Sequence, residues 1–316
     1  MKTVLVTGAN GFVGKHLCDF LRVRNYRVRS AVRALASAGS PEDEEVVQIG
    51  NIDEKTDWRE ALDGADAVVH LAARAHVLDE SAADPLAEFR KVNTAGTERL
   101  ALQAADAGVA RLIYISSVKA AADMTKRPSL ESDAPTPSDP YGQSKKEAEE
   151  LLLRIAQQGQ IETVIVRPPL VYGPGVGGNF FRLLNVVHKR IPLPLRSIEN
   201  RRSLVSVYNL CDLIAHCIEH PHAANQVFNV SDDCDMSTPQ LLRAIGCAMN
   251  RRTFLVPLPS TVMRKVFSIL GRAEDFDRLF GSLQVSIDKA EEVIEWSPLM
   301  SFDEGLKKTV HWYVER

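Results

Sequence analysis

Lys2-Thr-Val-Leu-Val-Thr-Gly8-Ala-Asn-Gly11-Phe-Val-Gly14 opens the chain: an apolar, strand-like run leads into three glycines spaced three apart and then into helix-like sequence. Gly8 permits a sharp turn out of the strand, Gly11 lets backbone N–H groups approach a pyrophosphate, and Gly14 lets the helix lie close to the sheet. The helix N-terminus then faces the anion, where its dipole and unpaired N–H groups favour negative charge. Taken alone, the triplet reads equally well as an ordinary strand–turn–helix, so the rest of the chain decides.

Working outward, strand-like runs alternate with amphipathic helical ones. Strands are predicted over 3–7, 27–32, 46–49, 67–71, 112–115 and 163–166, and helices over 11–23, 57–62, 85–107, 140–157, 179–188, 209–219 and 238–249. Such alternation is the mark of βαβ units and a parallel sheet, an α/β fold. After about Pro168 it gives way to Pro- and Gly-rich loops, including Pro168-Pro-Leu-Val-Tyr-Gly-Pro-Gly175. That change predicts a sheet-bearing domain over 1–168 and a smaller lobe over 169–316, some of whose segments return to the sheet, in keeping with a length of 316 residues. Residues 123–139, rich in Pro, Ser and Asp, read as a loop beyond the Ser116-Ser117 strand end, and such ends of parallel strands are where ligands sit.

Composition narrows the function classes. The apolar fraction of 45%, charged fraction of 25% and formal charge of −3 are those of an ordinary globular protein and supply no field for nucleic acid or an anionic membrane. No apolar run reaches membrane-spanning length, and strand sequence begins within two residues of the N-terminus, leaving no room for a leader, so a cytoplasmic protein is expected. The five cysteines, Cys18, Cys211, Cys217, Cys234 and Cys247, are scattered without CxxC spacing, which predicts reduced thiols, no disulfide framework and no zinc site. His70 stands without a second ligand at metal spacing and reads as a packing or backbone-bonding residue; His216, His220 and His222 read as a solvated helix end.

The chemistry-bearing pattern is Tyr141-Gly-Gln-Ser-Lys145 at a helix start, preceded by Ser116-Ser117 at a strand end. Positions four apart share a helix face, so the Lys145 ammonium and Tyr141 phenol project into one volume. A nearby cation favours the phenolate and brings the phenol toward a range useful for proton transfer. Ser117 is placed to bind a substrate oxygen at the same point. Each feature alone is common; together, downstream of the glycine turn, they specify a site.

On these residues the chain resembles the extended short-chain dehydrogenase/reductase family, in particular its nucleotide-sugar epimerases, dehydratases and reductases. The likeness runs through Thr7–Gly14, Val69-His-Leu-Ala-Ala73, Val92-Asn-Thr-Ala-Gly-Thr97, Tyr114-Ile-Ser-Ser117, Pro140–Lys145 and Arg167–Gly175. It implies a Rossmann-like doubly wound parallel sheet with a smaller C-terminal α/β substrate lobe. By resemblance, Tyr141 is the acid/base, Lys145 holds the nicotinamide ribose and tunes Tyr141, and Ser117 binds the reacting carbonyl or alcohol. The cofactor would further meet Gly8, Asn10, Gly11, Phe12, Val13 and Gly14 at the turn, Asn51 and Ile52 near adenine, Leu71, Ala72 and Ala73 on the pyrophosphate and nicotinamide side, and Pro168, with Asn93 bracing the central helix. A UDP-linked sugar would meet Asn179 and Arg202, with Arg278 a further candidate, because guanidinium forks match diphosphate oxygens. The apolar face of the 140–157 helix, with Ala148, Leu151 and Leu152, suits pairing across a two-fold axis, which leaves a homodimer open.

Two departures narrow the reaction. Dinucleotide sites that take NAD place an acidic residue at the end of the second strand; here that end reads Arg29-Ser-Ala-Val-Arg33, and Arg33 lies where it can pair with a 2'-phosphate. NADP(H) is therefore favoured, with NAD(H) open and a surface role for Arg33 the competing explanation. After Ser117, the dehydratases of this family carry an Asp-Glu pair, and this chain has Val118-Lys119, which removes the acid and base of that elimination. The expectation is NADP(H)-dependent reduction of the C4 keto group of a UDP-4-keto-6-deoxy-N-acetylhexosamine in surface-polysaccharide precursor synthesis. The alternative is 4-epimerisation of UDP-glucose or UDP-N-acetylglucosamine. A non-catalytic dinucleotide sensor is disfavoured by the retention of Ser117, Tyr141 and Lys145.

Overall fold

The computed structural model describes residues 1–34, 45–75, 84–269, 271, 276 and 280–316. The strands are β1 (Thr3–Thr7), β2 (Arg27–Val32), β3 (Glu45–Gln48), β4 (Ala67–His70), β5 (Arg111–Ile115), β6 (Glu162–Arg167), β7 (Leu170–Tyr172), β8 (Leu204–Ser206) and β9 (Gln226–Asn229). Seven of them form one parallel sheet in the order β3-β2-β1-β4-β5-β6-β9, and β7 pairs with β8 in a small second sheet. β1 and β4, at the centre, are buried along their whole length and read Thr-Val-Leu-Val-Thr and Ala-Val-Val-His. Continuous β-branched and aliphatic sequence of this kind forms strands covered on both faces.

Helices cover both faces. On one lie α1 (Phe12–Val23) and α7 (Val207–Glu219), whose Leu17, Leu21, Leu210 and Ile214 meet Val4, Val6, Ile113 and Val164. On the other lie α2 (Arg59–Leu62), α4 (Gly96–Asp106) and α5 (Pro140–Gln157), which enclose Leu5, Val68, Leu112 and Ile165 together with Trp58. Ala148, Leu151 and Leu152 belong to this second core, so the α5 face read from sequence as a dimer seam is spent on the sheet of its own chain. The remaining described helices are α3 (Pro85–Arg90), α6 (Gly178–His188), α8 (Thr238–Ala248), α9 (Ser260–Ile269), α10 (Asp288–Ile294) and α11 (Phe302–Val314). Of these, α6, α8 and α11 build a third core around Tyr172, Phe180, Leu184, Leu242 and Leu306.

Strand order reverses between β1 and β4, where the two connections leave in opposite directions and open a crevice at the strands' carboxyl ends. The single helix predicted over 85–107 is instead α3, a π-helical turn over Lys91–Ala95, and α4. Such turns widen a helix locally and are a frequent mark of functional sites. Beyond Pro168 the chain returns to the large sheet through β9, and α10 packs its Ala290 and Ile294 into the first core. Among the described residues no helix is long and apolar enough to cross a membrane.

Candidate active site

The glycine turn is built as a cradle. Gly8 has φ +68°, and a Cβ there would stand 3.0 Å from the Ala72 nitrogen. A Cβ at Gly14 would stand 2.2 Å from the Gly8 carbonyl oxygen, so only glycine lets α1 start against the turn. Gly11 N–H donates to that oxygen at 2.9 Å. The first turn of α1 contains no acidic residue and its cap, Gly11, brings no side chain, so backbone N–H groups and the positive end of the dipole face the crevice. These residues fit a dinucleotide pyrophosphate. Asn10 is exposed, Phe12 and Val13 are half-buried, and the Phe12 ring sits beside Gly173 and Gly175 of the Tyr-Gly-Pro-Gly loop.

A hydrogen-bonded chain ties this cradle to α5. Ala72 N–H donates to Thr7 Oγ1 (3.1 Å), Thr7 Oγ1 meets His70 Nδ1 (2.7 Å), His70 Nε2 meets Thr97 Oγ1 (3.1 Å), and Thr97 Oγ1 donates to the Asn93 carbonyl (2.7 Å). Since the Thr97 hydrogen is committed to Asn93, His70 must donate through Nε2 and accept through Nδ1, which fixes its neutral tautomer. Burial, aided by the Lys145 charge, pushes the His70 imidazole down to about 3. Asn93, on the π-helical turn, then donates to Ser144 Oγ (3.0 Å) and the Arg74 carbonyl (3.1 Å) and accepts from Arg74 N–H (2.8 Å), while Ser144 Oγ donates to the Tyr141 carbonyl (2.8 Å). His70 was legible as a buried, bonded residue; that its partners are Thr7 and Thr97 was not.

Tyr141 and Lys145 lie on the first turns of α5, which Asp139 caps by accepting from Gly142 N–H at 2.6 Å, with Pro140 at the first helical position. Burial pushes the Tyr141 phenol up to about 12; a hydrogen bond from Ser117 opposes this and the Asp139 charge adds to it. Lys145 is fully enclosed and burial pushes its ammonium down to about 7, against the pull of Glu149 one turn on. Its Nζ donates to the Ile115 carbonyl at 2.8 Å and lies 4.4 Å from the centre of the Tyr114 ring. The four-residue spacing therefore delivers both groups to one pocket, but the ammonium is aimed at the end of β5 and desolvation governs the phenol. An ammonium with one donor on a carbonyl retains donors for a ribose diol.

Leu71, Ala72 and Ala73 follow β4 and are half-buried; Pro168 is buried after β6, its carbonyl accepting from Val118 N–H at 3.0 Å. The fold thus brings the glycine turn, Leu71–Ala73, Ser117, Tyr141, Lys145 and Pro168 to the carboxyl ends of β1, β4, β5 and β6. Arg33 is exposed just past β2; Asn51 is exposed after β3, its carbonyl accepting from Thr56 Oγ1, and Ile52 rests on Gly96, where a Cβ would come within 2.5 Å of it. In the second lobe Asn179 is exposed on the first turn of α6, and Arg202 is half-buried, bridging through its backbone to Met236 and Leu283, with burial lowering its guanidinium. Arg278 lies outside the described residues. Sequence reasoning missed Asp139 and Gly142, although Asp-Pro before a helical run is a cap signal, and it missed the buried pair of Glu149 with Arg167 (2.6–3.1 Å). His216 bonds the Ile294 carbonyl at 2.7 Å and stacks on His220, so that helix end is packed; no metal-holding cluster occurs among the described residues.

With fold and site in place, comparison with known proteins gives the class: the NAD dependent epimerase/dehydratase family model matches residues 4–231, and the chain belongs to this family. Among its relatives, the UDP-glucose 4-epimerase of Vibrio cholerae is 44% identical over 318 residues, covering 99% of this chain and 96% of that protein. The UDP-N-acetylglucosamine 4-epimerase from Methanobrevibacter ruminantium M1, solved with UDP-N-acetylmuramic acid, superposes with a TM-score of 0.80 at 21% identity, covering 99% of this chain and 98% of that one. The UDP-glucuronic acid 4-epimerase from Bacillus cereus, solved with NAD, superposes with a TM-score of 0.79 at 20% identity, covering 99% of each.

Proposed function

We propose that the protein is a UDP-sugar 4-epimerase working with NAD(H), and that UDP-glucose is its first substrate to try. The observation that carries this reading is the 44% identity, over 99% of the chain, to the Vibrio cholerae UDP-glucose 4-epimerase. The site agrees in kind. Ser117 Oγ accepts from Lys119 N–H at 3.2 Å, so its own hydrogen is free to be donated to a sugar oxygen. Tyr141 takes the proton of the sugar 4-hydroxyl and returns it after the sugar has turned over. Lys145 holds the ribose and sets the charge beside the phenol. The nicotinamide, when bound, accepts the hydride of C4 and gives it back. A retained cofactor suits that cycle, and NAD is the dinucleotide bound by the Bacillus cereus neighbour.

The C4-reductase reading rests on Arg33 and the Ser-Ser-Val-Lys segment, and neither outweighs the full-length likeness to an epimerase. Arg33 stands exposed at the mouth of the adenosine side, which supports its being read as a surface cation as much as a 2'-phosphate partner. A dehydratase stays disfavoured, because Val118 is buried and Lys119 is held in ion pairs where the acid–base pair would stand. The test is incubation of purified protein with UDP-glucose and catalytic NAD+. Accumulation of UDP-galactose without net NADH supports the proposal. No inversion, together with NADPH oxidation by the UDP-4-keto-6-deoxy sugar, replaces it with the reductase.

A further inference from the structure

Lys119 occupies the position at which this family's dehydratases carry a carboxylate, and the epimerase chemistry gives it no role. Its three contacts converge on the catalytic pair. Its backbone N–H donates to Ser117 Oγ at 3.2 Å. Its carbonyl lies against α5 so closely that a Cβ at Gly142 would come within 2.4 Å of it. Its ammonium pairs with Asp139, the cap of α5, and stands 3.6 Å from Asp123. Asp139 is two residues before Tyr141 and donates nothing: its Oδ1 accepts from Gly142 N–H and its Oδ2 faces Lys119.

We propose that Lys119 is a positioning residue that cancels the charge of Asp139 beside the Tyr141 phenol, so that the carboxylate caps the helix without holding the acid/base group protonated. A carboxylate at this place has two opposed effects. It stabilises the helix N-terminus that presents Tyr141, and it disfavours the phenolate by like-charge repulsion. An ammonium paired to its outer oxygen keeps the first effect and suppresses the second. The other charged or titratable groups around the phenol are Ser117 from the end of β5, Tyr114 and Lys145 beneath it, Asp123 beyond Lys119, and Arg74, which sits over Phe89, whose ring in turn edges onto Tyr141. Of these, Asp139 is the group named as raising the phenol by its charge. The inference deepens the epimerase reading and rests on it for the role of Tyr141, but its test does not require turnover.

The experiment places 3,5-difluorotyrosine, a more acidic phenol, at position 141 and follows its ionisation by 19F NMR in the cofactor-free protein. Lys119→Met raises the midpoint, leaving about tenfold less phenolate at a given pH, as expected for uncovering one charge at this range. Lys119→Arg keeps the original midpoint, and Lys119→Met with Asp139→Asn returns to it. A midpoint unmoved by Lys119→Met overturns the proposal, and so does a double variant that keeps the shift. Should Lys119→Met fail to fold, Asp139→Asn alone decides: it must not raise the midpoint, and a rise overturns the idea. Failure of the wild type to invert UDP-glucose would remove the epimerase reading and leave this titration standing.

Discussion

Strands β5 and β6 carry charge at both ends, and the two ends treat it oppositely. At their amino ends Arg111 is satisfied several times over: Nε and Nη2 reach Glu162 at 2.9 and 2.6 Å, and Nη1 reaches the carbonyls of Cys217 and His220 at 2.8 Å each. At their carboxyl ends Lys145 has one carbonyl and an aromatic face, and both Lys145 and Tyr141 are pushed far from their ordinary values by burial. One arrangement uses charge to join α7 to the sheet; the other withholds solvent from groups that must exchange a proton. A buried cation is thus not a functional signal in itself, whereas a buried, under-partnered one at the switch point is.

The largest effect that separates the ends is Tyr141→Phe. Steady-state epimerisation should fall by about a hundredfold to ten-thousandfold, the range for losing an acid/base group, with the thermal midpoint nearly unchanged. A mild rate loss would place the proton transfer elsewhere. Arg111→Met should do the reverse, costing about 3 kcal/mol in urea unfolding, because three carbonyls and Glu162 lose a shared donor, while kcat is retained. A fall in kcat with intact stability would show that the two ends are coupled.

His70 sharpens the comparison through pH. Its folded value of about 3 lies below the ordinary 6.5, so between these values the unfolded chain binds a proton that the folded one refuses. The stabilisation is complete above 6.5 and is lost as pH falls toward 3. From pH 6.5 to 5 this amounts to about 2 kcal/mol, and His70→Gln, which cannot titrate, should lose that share of the slope in paired urea melts. Equal slopes in the two proteins would mean that His70 is protonated in the fold, contrary to the tautomer its partners impose.

The fold was legible because its signals are local. The six predicted strands and the Gly8–Gly14 turn follow from alternation and glycine spacing, which short-range sterics enforce. The strand β9 escaped because Gln-Val-Phe-Asn is too short to stand out and is set by pairing with β6. Ser117, Tyr141 and Lys145 were legible as residue types at a spacing; their electrostatics were not, because desolvation depends on Ile115, Tyr114 and Glu149 closing round Lys145 from three segments. The π-helical turn at Lys91–Ala95 was invisible for a related reason. What selects it is Asn93 reaching Ser144 and Arg74 across the structure, and no helix propensity encodes that.

The smallest effect concerns that reach. Ser144→Ala removes one acceptor of Asn93 and one donor to the Tyr141 carbonyl, yet orphans neither: Asn93 Nδ2 keeps the Arg74 carbonyl at 3.1 Å, and Tyr141 O remains inside a helix. The loss should stay near 1 kcal/mol, the net worth of a neutral hydrogen bond, and appear as about a fivefold fall in kcat with KM unchanged. Asn93→Ala differs in kind, since it strands the Arg74 N–H and the Ser144 hydroxyl together in a buried place. If the serine variant proved as damaging as the asparagine one, the link from cradle to α5 would run through Ser144 alone, and the His70 chain would serve the sheet rather than the site.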